Sequence, residues 1–228
     1  MENNNIDYRY ERKFLITDMS FRKVEKIIQL NPVNFRKLYP ERTINNIYFD
    51  NHSLESFHDN VDGTPKREKI RIRWYGDKFG FISKPILEIK KRNNSVGTKE
   101  QYLLNSFNID DGFNENILSQ LILMSDIPNI IKNKVLQLTP KLFNSYERKY
   151  FISFDKRFRV TIDKNLFYMK IMPHNNNFFH SLLDSKSTVL EIKYDMKDDK
   201  DIDIITNNFS FRLTKNSKYV TGIFNVYE

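Results

Sequence analysis

Apolar and charged residues alternate one for one in segment after segment of this chain. Tyr10, Phe14 and Ile16 interleave with Arg9, Glu11 and Lys13. Ile70, Ile72 and Trp74 interleave with Arg71 and Arg73, and Leu87 and Ile89 with Glu88 and Lys90. Val160 and Ile162 interleave with Arg159, Thr161 and Asp163, and Leu190 and Ile192 with Glu191, Lys193 and Asp195. Side chains two apart share a face of a strand, so each segment predicts a strand with one apolar and one ionic face. Strands are predicted over 8–16, 44–50, 69–75, 85–92, 99–104, 142–154, 157–163, 188–195 and 218–226. These segments are rich in β-branched and aromatic residues and are bounded by Asn, Asp, Gly and Pro.

Helical spacing is rarer. Phe21, Val24, Ile27 and Ile28 predict a helix capped by Thr17 or Asp18. Residues 113–138 predict a helical pair, with one stripe from Ile117 to Met124, another from Ile130 to Leu138, and Pro128 at a first-turn position between them. Shorter helices are predicted at 178–183 and 200–208. This pattern predicts an α+β chain: a closed or nearly closed antiparallel barrel of about eight to ten strands with helices packed outside. With no repeat and no long linker, residues 1–228 read as a single domain.

Composition narrows the chemistry. The 228 residues include no Cys, which excludes a disulfide scaffold, a thiol nucleophile and a thiolate metal site. Four histidines, His52, His58, His174 and His180, sit in polar stretches and read as surface residues. No apolar run approaches the ~20 residues of a membrane span, and the Met-Glu-Asn-Asn-Asn start lacks the features of a signal peptide. A soluble cytoplasmic protein is the expectation, with a membrane-protein partner left open. Lys and Arg total 37 against 29 Asp and Glu, a formal charge of +8, which favours anionic partners.

Two readings of the ionic faces stand. In one, they are solvated faces of an antiparallel sheet. In the other, the sheet is turned inside out: apolar faces pack outward against helices and ionic faces line a hydrophilic tunnel. A basic tunnel attracts polyanions, and a few carboxylates in it suit a divalent cation. Arg71 and Arg73 favour the tunnel. They are like charges on one strand with no evident acidic partner, an arrangement that a bound anion would relieve.

The residues also resemble a known pattern, the VTC domain, the polyphosphate-polymerase branch of the triphosphate tunnel metalloenzymes. The resemblance runs through Tyr10-Glu11-Arg12-Lys13-Phe14, Ile47-Tyr48-Phe49-Asp50, Ile70-Arg71-Ile72-Arg73-Trp74-Tyr75-Gly76 and Leu87-Glu88-Ile89-Lys90. It continues through Ser145-Tyr146-Glu147-Arg148, Arg159-Val160-Thr161-Ile162-Asp163, Leu190-Glu191-Ile192-Lys193-Tyr194 and Ser217-Lys218-Tyr219. Each motif is weak alone; their ordered co-occurrence over nearly the whole chain is specific. The resemblance implies a tunnel that holds a triphosphate or polyphosphate, with Lys13, Arg71, Arg73, Lys90, Arg148, Arg159 and Lys218 at phosphate-binding positions. Lys99 and Lys215 match two more by a looser alignment, and Tyr146 matches a position near the nucleotide. Glu191 matches a metal-binding glutamate for Mn²⁺ or Mg²⁺. Parity places Glu11 and Glu88 inward, where they support the metal or pair with lysines.

RNA triphosphatases of the tunnel type carry Glu-x-Glu pairs in an early and a late strand. Here Lys13 follows Glu11 and Lys193 follows Glu191, so an ammonium replaces the second carboxylate in each pair. That exchange lowers the metal-ligand count and raises phosphate affinity. The expected activity is transfer of the ATP γ-phosphate to inorganic polyphosphate. A tunnel phosphohydrolase and a non-catalytic polyphosphate-binding module are the alternatives. Nucleic acid is not expected, because parity puts Trp74 on the packed face opposite Arg71 and Arg73.

Overall fold

The computed structural model describes residues 9–93, 96–110, 112–177 and 181–227. In chain order the elements begin β1 (Arg9–Ile16), α1 (Phe21–Gln29), β2 (Arg36–Asp50), α2 (Glu55–Asp62), β3 (Lys66–Tyr75) and β4 (Gly80–Ile82). They continue through β5 (Ile86–Asn93), β6 (Val96–Leu103), β7 (Phe107–Ile109), α3 (Asn116–Met124), α4 (Asn129–Leu136) and β8 (Thr139–Ile152). The last are β9 (Arg159–Lys170), β10 (Ser181–Asp184), β11 (Thr188–Asp195), α5 (Ile202–Thr206) and α6 (Lys218–Tyr227). The chain is α+β, with a nine-stranded sheet in which β1–β11, β11–β9, β2–β3, β3–β5 and β5–β6 pair antiparallel, and a second, two-stranded antiparallel sheet of β4 and β7. The main sheet runs β1-β11-β9-β8-β2-β3-β5-β6, with β10 also paired to β9. Among the described residues no pairing joins β1 to β6, so of the closed or nearly closed barrel expected, the antiparallel sheet is found and its closure is not.

The chain divides into two compact units. The first comprises 1–42, 146–166 and 184–216. In it β11 lies between β1 and β9, with Phe14 opposite Leu190 and Leu190 opposite Ile162. The apolar face of these strands buries Phe14, Ile16, Val160, Ile162, Leu190 and Ile192 against Val24 and Ile28 of α1 and Ile202 and Ile205 of α5. Ser20, not Thr17 or Asp18, caps α1. Its extended backbone (φ −67°, ψ 147°) lets its side chain accept the Lys23 N–H.

The second unit comprises 43–145, 167–183 and 217–228. Here β3 lies between β2 and β5, and β5 between β3 and β6. Ile70, Ile72, Trp74, Leu87 and Ile89 pack with Leu118, Leu121 and Ile122 of α3 and Ile131 and Val135 of α4. Trp74 is fully buried, its ring against Phe107 and Phe143 and its N–H donated to the Asp77 carbonyl. The helical pair lies within 113–138 as its spacing predicts, with Pro128 at the N-cap of α4.

Two of the expected elements fail, and one helix was not expected. Residues 218–226, read as a strand, lie in helix α6. Their β-branched and aromatic composition favours a strand, but the buried residues Tyr219, Gly222 and Ile223 recur at three- and four-residue spacing, and tertiary packing follows that period. A Cβ on Gly222 would lie 2.4 Å from Leu142 Cδ2 and 2.7 Å from Tyr168 Cδ1, so the absence of a side chain lets the helix sit this close. The short helix expected at 178–183 also fails: Ser181 to Leu183 belong to strand β10, and 178–180 lie outside the described residues. Helix α2 has no counterpart in the sequence pattern. It has no buried residue, and the Asp50 carboxylate accepts the N–H groups of Ser56 and Phe57 at its start.

Candidate phosphate-binding site

The ionic face of each unit is built by cross-strand register. In the second unit one row runs Tyr48–Arg71–Glu88–Gln101 across β2, β3, β5 and β6. Glu88 is 3% exposed. Its Oε2 accepts from Arg71 Nε at 2.8 Å and Nη2 at 2.6 Å, with Arg73 Nη1 at 3.5 Å. Its Oε1 accepts from Gln101 at 2.8 Å and has Lys99 Nζ at 3.6 Å. Burial alone would push this carboxyl up, but Arg71 and Arg73 bring it down to about 2. Arg71 Nη1 also donates to the Tyr48 hydroxyl at 3.0 Å, and Arg73 Nε to Asn46 Oδ1 at 2.9 Å. The acidic partner missing from the sequence of β3 is therefore Glu88, directly opposite on β5. The two arginines share this carboxylate, and fixed hydrogen bonds to Glu88, Tyr48 and Asn46 set their direction.

Behind this row lies an anchor. Tyr219 of α6 stacks on Tyr48, with ring centroids 5.1 Å apart, and donates to Asp50 Oδ2 at 2.5 Å. Burial and that hydrogen bond raise the Tyr219 pKa, so the phenol keeps its proton. The Ser217 hydroxyl accepts from Lys69 Nζ at 2.8 Å. Lys218, the next residue, opens α6.

In the first unit Glu11 lies opposite Lys193, and Lys13 opposite Glu191. The four charges form a closed set. Lys13 Nζ is 3.1 Å from Glu11 and 3.8 Å from Glu191, and Lys193 Nζ is 2.7 Å from Glu191 and 3.3 Å from Glu11. Burial disfavours the Glu191 carboxylate, yet Lys193 and Lys13 hold its pKa well below the usual range. Burial likewise opposes the charge on both lysines, and the two glutamates outweigh it and raise their pKa values. The next strand places Arg159 opposite Lys193 and Thr161 opposite Glu191. Arg148 is forked onto Asp163 at 2.6 and 2.8 Å and lies over the ring of buried Tyr146 at 5.2 Å. Burial alone would lower the Arg148 pKa, but Asp163 raises it well above the ordinary value.

The structure thus assembles most of the sequence-predicted residues into two groups. Arg71, Arg73, Lys90, Lys99 and Glu88 share one face of the second unit, and Glu11, Lys13, Lys193, Glu191 and Arg159 share one face of the first. Arg148 and Tyr146 follow on β8 of the first unit, while Lys215 is exposed on the segment before α6. The sequence analysis did not single out Tyr48, Asn46 or Gln101, whose pairing with the arginines and Glu88 depends on cross-strand register; Lys69, two residues before Arg71, was within reach of spacing along β3 alone.

For a divalent cation the first unit supplies a fitting donor set. Glu11 and Glu191 are hard carboxylate ligands on paired strands. The buried Thr161 hydroxyl, opposite Glu191, has no hydrogen-bond partner among the described residues. Mg²⁺ sites for phosphate chemistry use one or two carboxylates and let phosphate oxygens and water complete the shell. No group of three or more His, Asp or Glu among the described residues forms a self-sufficient metal cage. Glu88, also read as a metal support or a partner of the basic residues, pairs with Arg71, Arg73 and Lys99 and accepts from Gln101, as Glu11 and Glu191 pair with Lys13 and Lys193.

A family model described as the VTC domain matches residues 8–227. No curated protein matches. Among solved structures, the PH1819 protein from Pyrococcus horikoshii OT3 is similar over 94% of this chain and 97% of its own, with 12% identity and a TM-score of 0.50. A candidate adenylate cyclase from Vibrio parahaemolyticus is similar over 94% of this chain and 98% of its own, with 9% identity and a TM-score of 0.53. These two structures share the fold.

Proposed function

Because the chain belongs to the VTC domain family, we propose that it is a metal-dependent polyphosphate polymerase, which transfers the γ-phosphoryl group of ATP to inorganic polyphosphate and releases ADP. The observation that carries this reading is the Arg71–Glu88–Arg73 cluster, two guanidiniums held by one buried carboxylate on the ionic face of the sheet. Guanidinium forks pair phosphate oxygens two at a time, and lysines add mobile point charges. In this reading the ionic face is the wall of a tunnel.

Arg71 and Arg73 orient the transferred group. Lys13, Lys193, Lys90, Lys99, Arg148, Arg159, Lys215 and Lys218 neutralise the remaining phosphates, and Tyr146 lies near the nucleotide. Glu191, with Glu11, would hold Mn²⁺ or Mg²⁺, which withdraws charge from the phosphates when bound. A terminal oxygen of the polyphosphate forms the new bond to the γ-phosphorus while the bond from that phosphorus to the β–γ bridging oxygen breaks, and ADP departs with the electron pair. The acceptor is already anionic, so no side-chain nucleophile or base is required, and alignment and charge neutralisation lower the barrier.

Incubation with ATP and Mn²⁺ tests this, with products resolved on a polyphosphate gel beside assays for ADP, phosphate and pyrophosphate. ADP with a polyphosphate ladder and little free phosphate is expected. ADP with matching free phosphate would make the protein a phosphohydrolase. Pyrophosphate would point to cyclase chemistry of the kind named for the Vibrio relative. No turnover would leave a binding module.

A further inference from the structure

On the ionic face of the first unit one polar group stands outside the ion pairs. Thr161 of β9 lies opposite Glu191 of β11, and Glu191 lies opposite Lys13 of β1. Along β9, Arg159 and Asp163 share its face by two-residue spacing. The nearby carboxylates are engaged by cations: Asp163 by the Arg148 fork, and Glu191 by Lys193 at 2.7 Å. The buried Thr161 hydroxyl has no hydrogen-bond partner among the described residues. Burying a hydroxyl without a partner costs free energy, so its place opposite Glu191 points to a ligand.

The ligand class follows from the neighbours. Glu11 and Glu191 converge, because Lys13 Nζ and Lys193 Nζ each lie within 3.8 Å of both carboxylates. A single cation position is therefore within reach of both. Two carboxylates are few for a hard divalent ion, which surrounds itself with about six oxygens. Lysines occupy the second place of both Glu-x-Lys pairs, so no further carboxylate comes from β1 or β11 at those positions. A neutral oxygen on the adjoining strand can add to the set, and Thr161 supplies one in register. Ser and Thr hydroxyls hold Mg²⁺ in this way in P-loop nucleotide-binding proteins.

We propose that the Thr161 hydroxyl is a neutral oxygen ligand of the divalent cation held by Glu191 and Glu11, and that it sets the affinity for that ion. The proposal rests on the metal-dependent reading of the site and adds to it a residue from a third strand. A hydroxyl lone pair holds the cation without placing more negative charge beside the phosphates.

The test is Mn²⁺ binding without turnover, read from loss of the free-ion electron paramagnetic resonance signal, with protein alone and with equimolar tripolyphosphate. Thr161→Val keeps the β-branched shape and removes the hydroxyl. Its Mn²⁺ affinity falls about tenfold or more. Thr161→Ser, which keeps the hydroxyl, binds Mn²⁺ like the wild type. Metal-free Thr161→Val melts at or above the wild-type midpoint, since it loses a polar atom that has no partner. Its tripolyphosphate affinity in EDTA is unchanged.

Wild-type Mn²⁺ affinity in Thr161→Val would overturn the proposal, as would a serine variant as weak as the valine one. An equal loss of tripolyphosphate affinity in EDTA would assign the hydroxyl to phosphate instead. A metal-free midpoint well below the wild type would make it a structural contact. Both results overturn the ligand role. Mn²⁺ binding that is lost in Glu191→Gln but kept in Thr161→Val removes the Thr161 assignment alone. A wild type that takes up no Mn²⁺ in either condition removes the metal-dependent reading, and the ligand role with it.

Discussion

Glu88 is the buried carboxylate on which Arg71 and Arg73 both converge. Removing one partner of a buried ion pair strands the other, at about 3–5 kcal/mol. Glu88→Gln is therefore expected to lower unfolding free energy by about 3 kcal/mol in urea titrations at neutral pH, and added tripolyphosphate should restore part of it by binding the native state. The same residue sets a pH dependence. The unfolded carboxyl takes up a proton near 4.5 and the folded one only near 2, so between these values the unfolded chain binds more protons and acid favours it. This contribution, roughly 3 kcal/mol, is complete above pH 4.5 and lost as pH falls to 2. Acid unfolding of the wild type should show that loss, and Glu88→Gln should flatten it. Arg71→Ala and Glu191→Ala should each reduce polymerase turnover by at least about a hundredfold while circular dichroism still reports the native fold. Normal turnover in either would remove that residue from the site. Parity along one strand made these residues legible as an inward set. It could not show that Glu88 faces Arg71, because register is a property of two strands. Nor could it place Arg12, which breaks the apolar alternation of β1 and bonds to the Tyr194 hydroxyl and Asp203.

At the scale of elements, the long strands were legible because their period of two is unambiguous over five or more residues, whereas the three- and four-residue strands β4, β7 and β10 are too short to show a period. Helix α6 was not, because its composition and its period disagree, and only packing on Leu142 and Tyr168 decides between them. Gly222→Ala opposes two effects. Alanine gains ~1 kcal/mol in helix propensity, whereas overpacking a filled contact costs about 1–3 kcal/mol. The expected net is a loss of about 1 kcal/mol, read as a lower thermal midpoint. Helix α2 escaped notice for another reason: its start is fixed by a distant carboxylate. Asp50 accepts from Ser56 and Phe57 of α2 and from Tyr219 of α6, so a single motif residue ties two helices to the end of β2.

For the whole molecule, a formal charge of +8 makes polyanion binding a long-range electrostatic event. Raising salt from 50 to 500 mM is expected to weaken polyphosphate binding by at least about tenfold. A salt-insensitive affinity would argue against the ionic faces as the binding surface. The order of motifs pointed to the family before any fold was visible, whereas closure into a barrel could not be read from alternation, since open and closed sheets alternate alike. The β1–β11 pairing has a further consequence, for biosynthesis. Arg9 pairs with Asp195, so β1 must wait for β11 to be made. At ~5–20 residues per second, the wait is roughly ten to forty seconds. Throughout that interval Phe14 and Ile16 lie uncovered beside an open strand edge, so slower translation lengthens the exposure of this segment to aggregation.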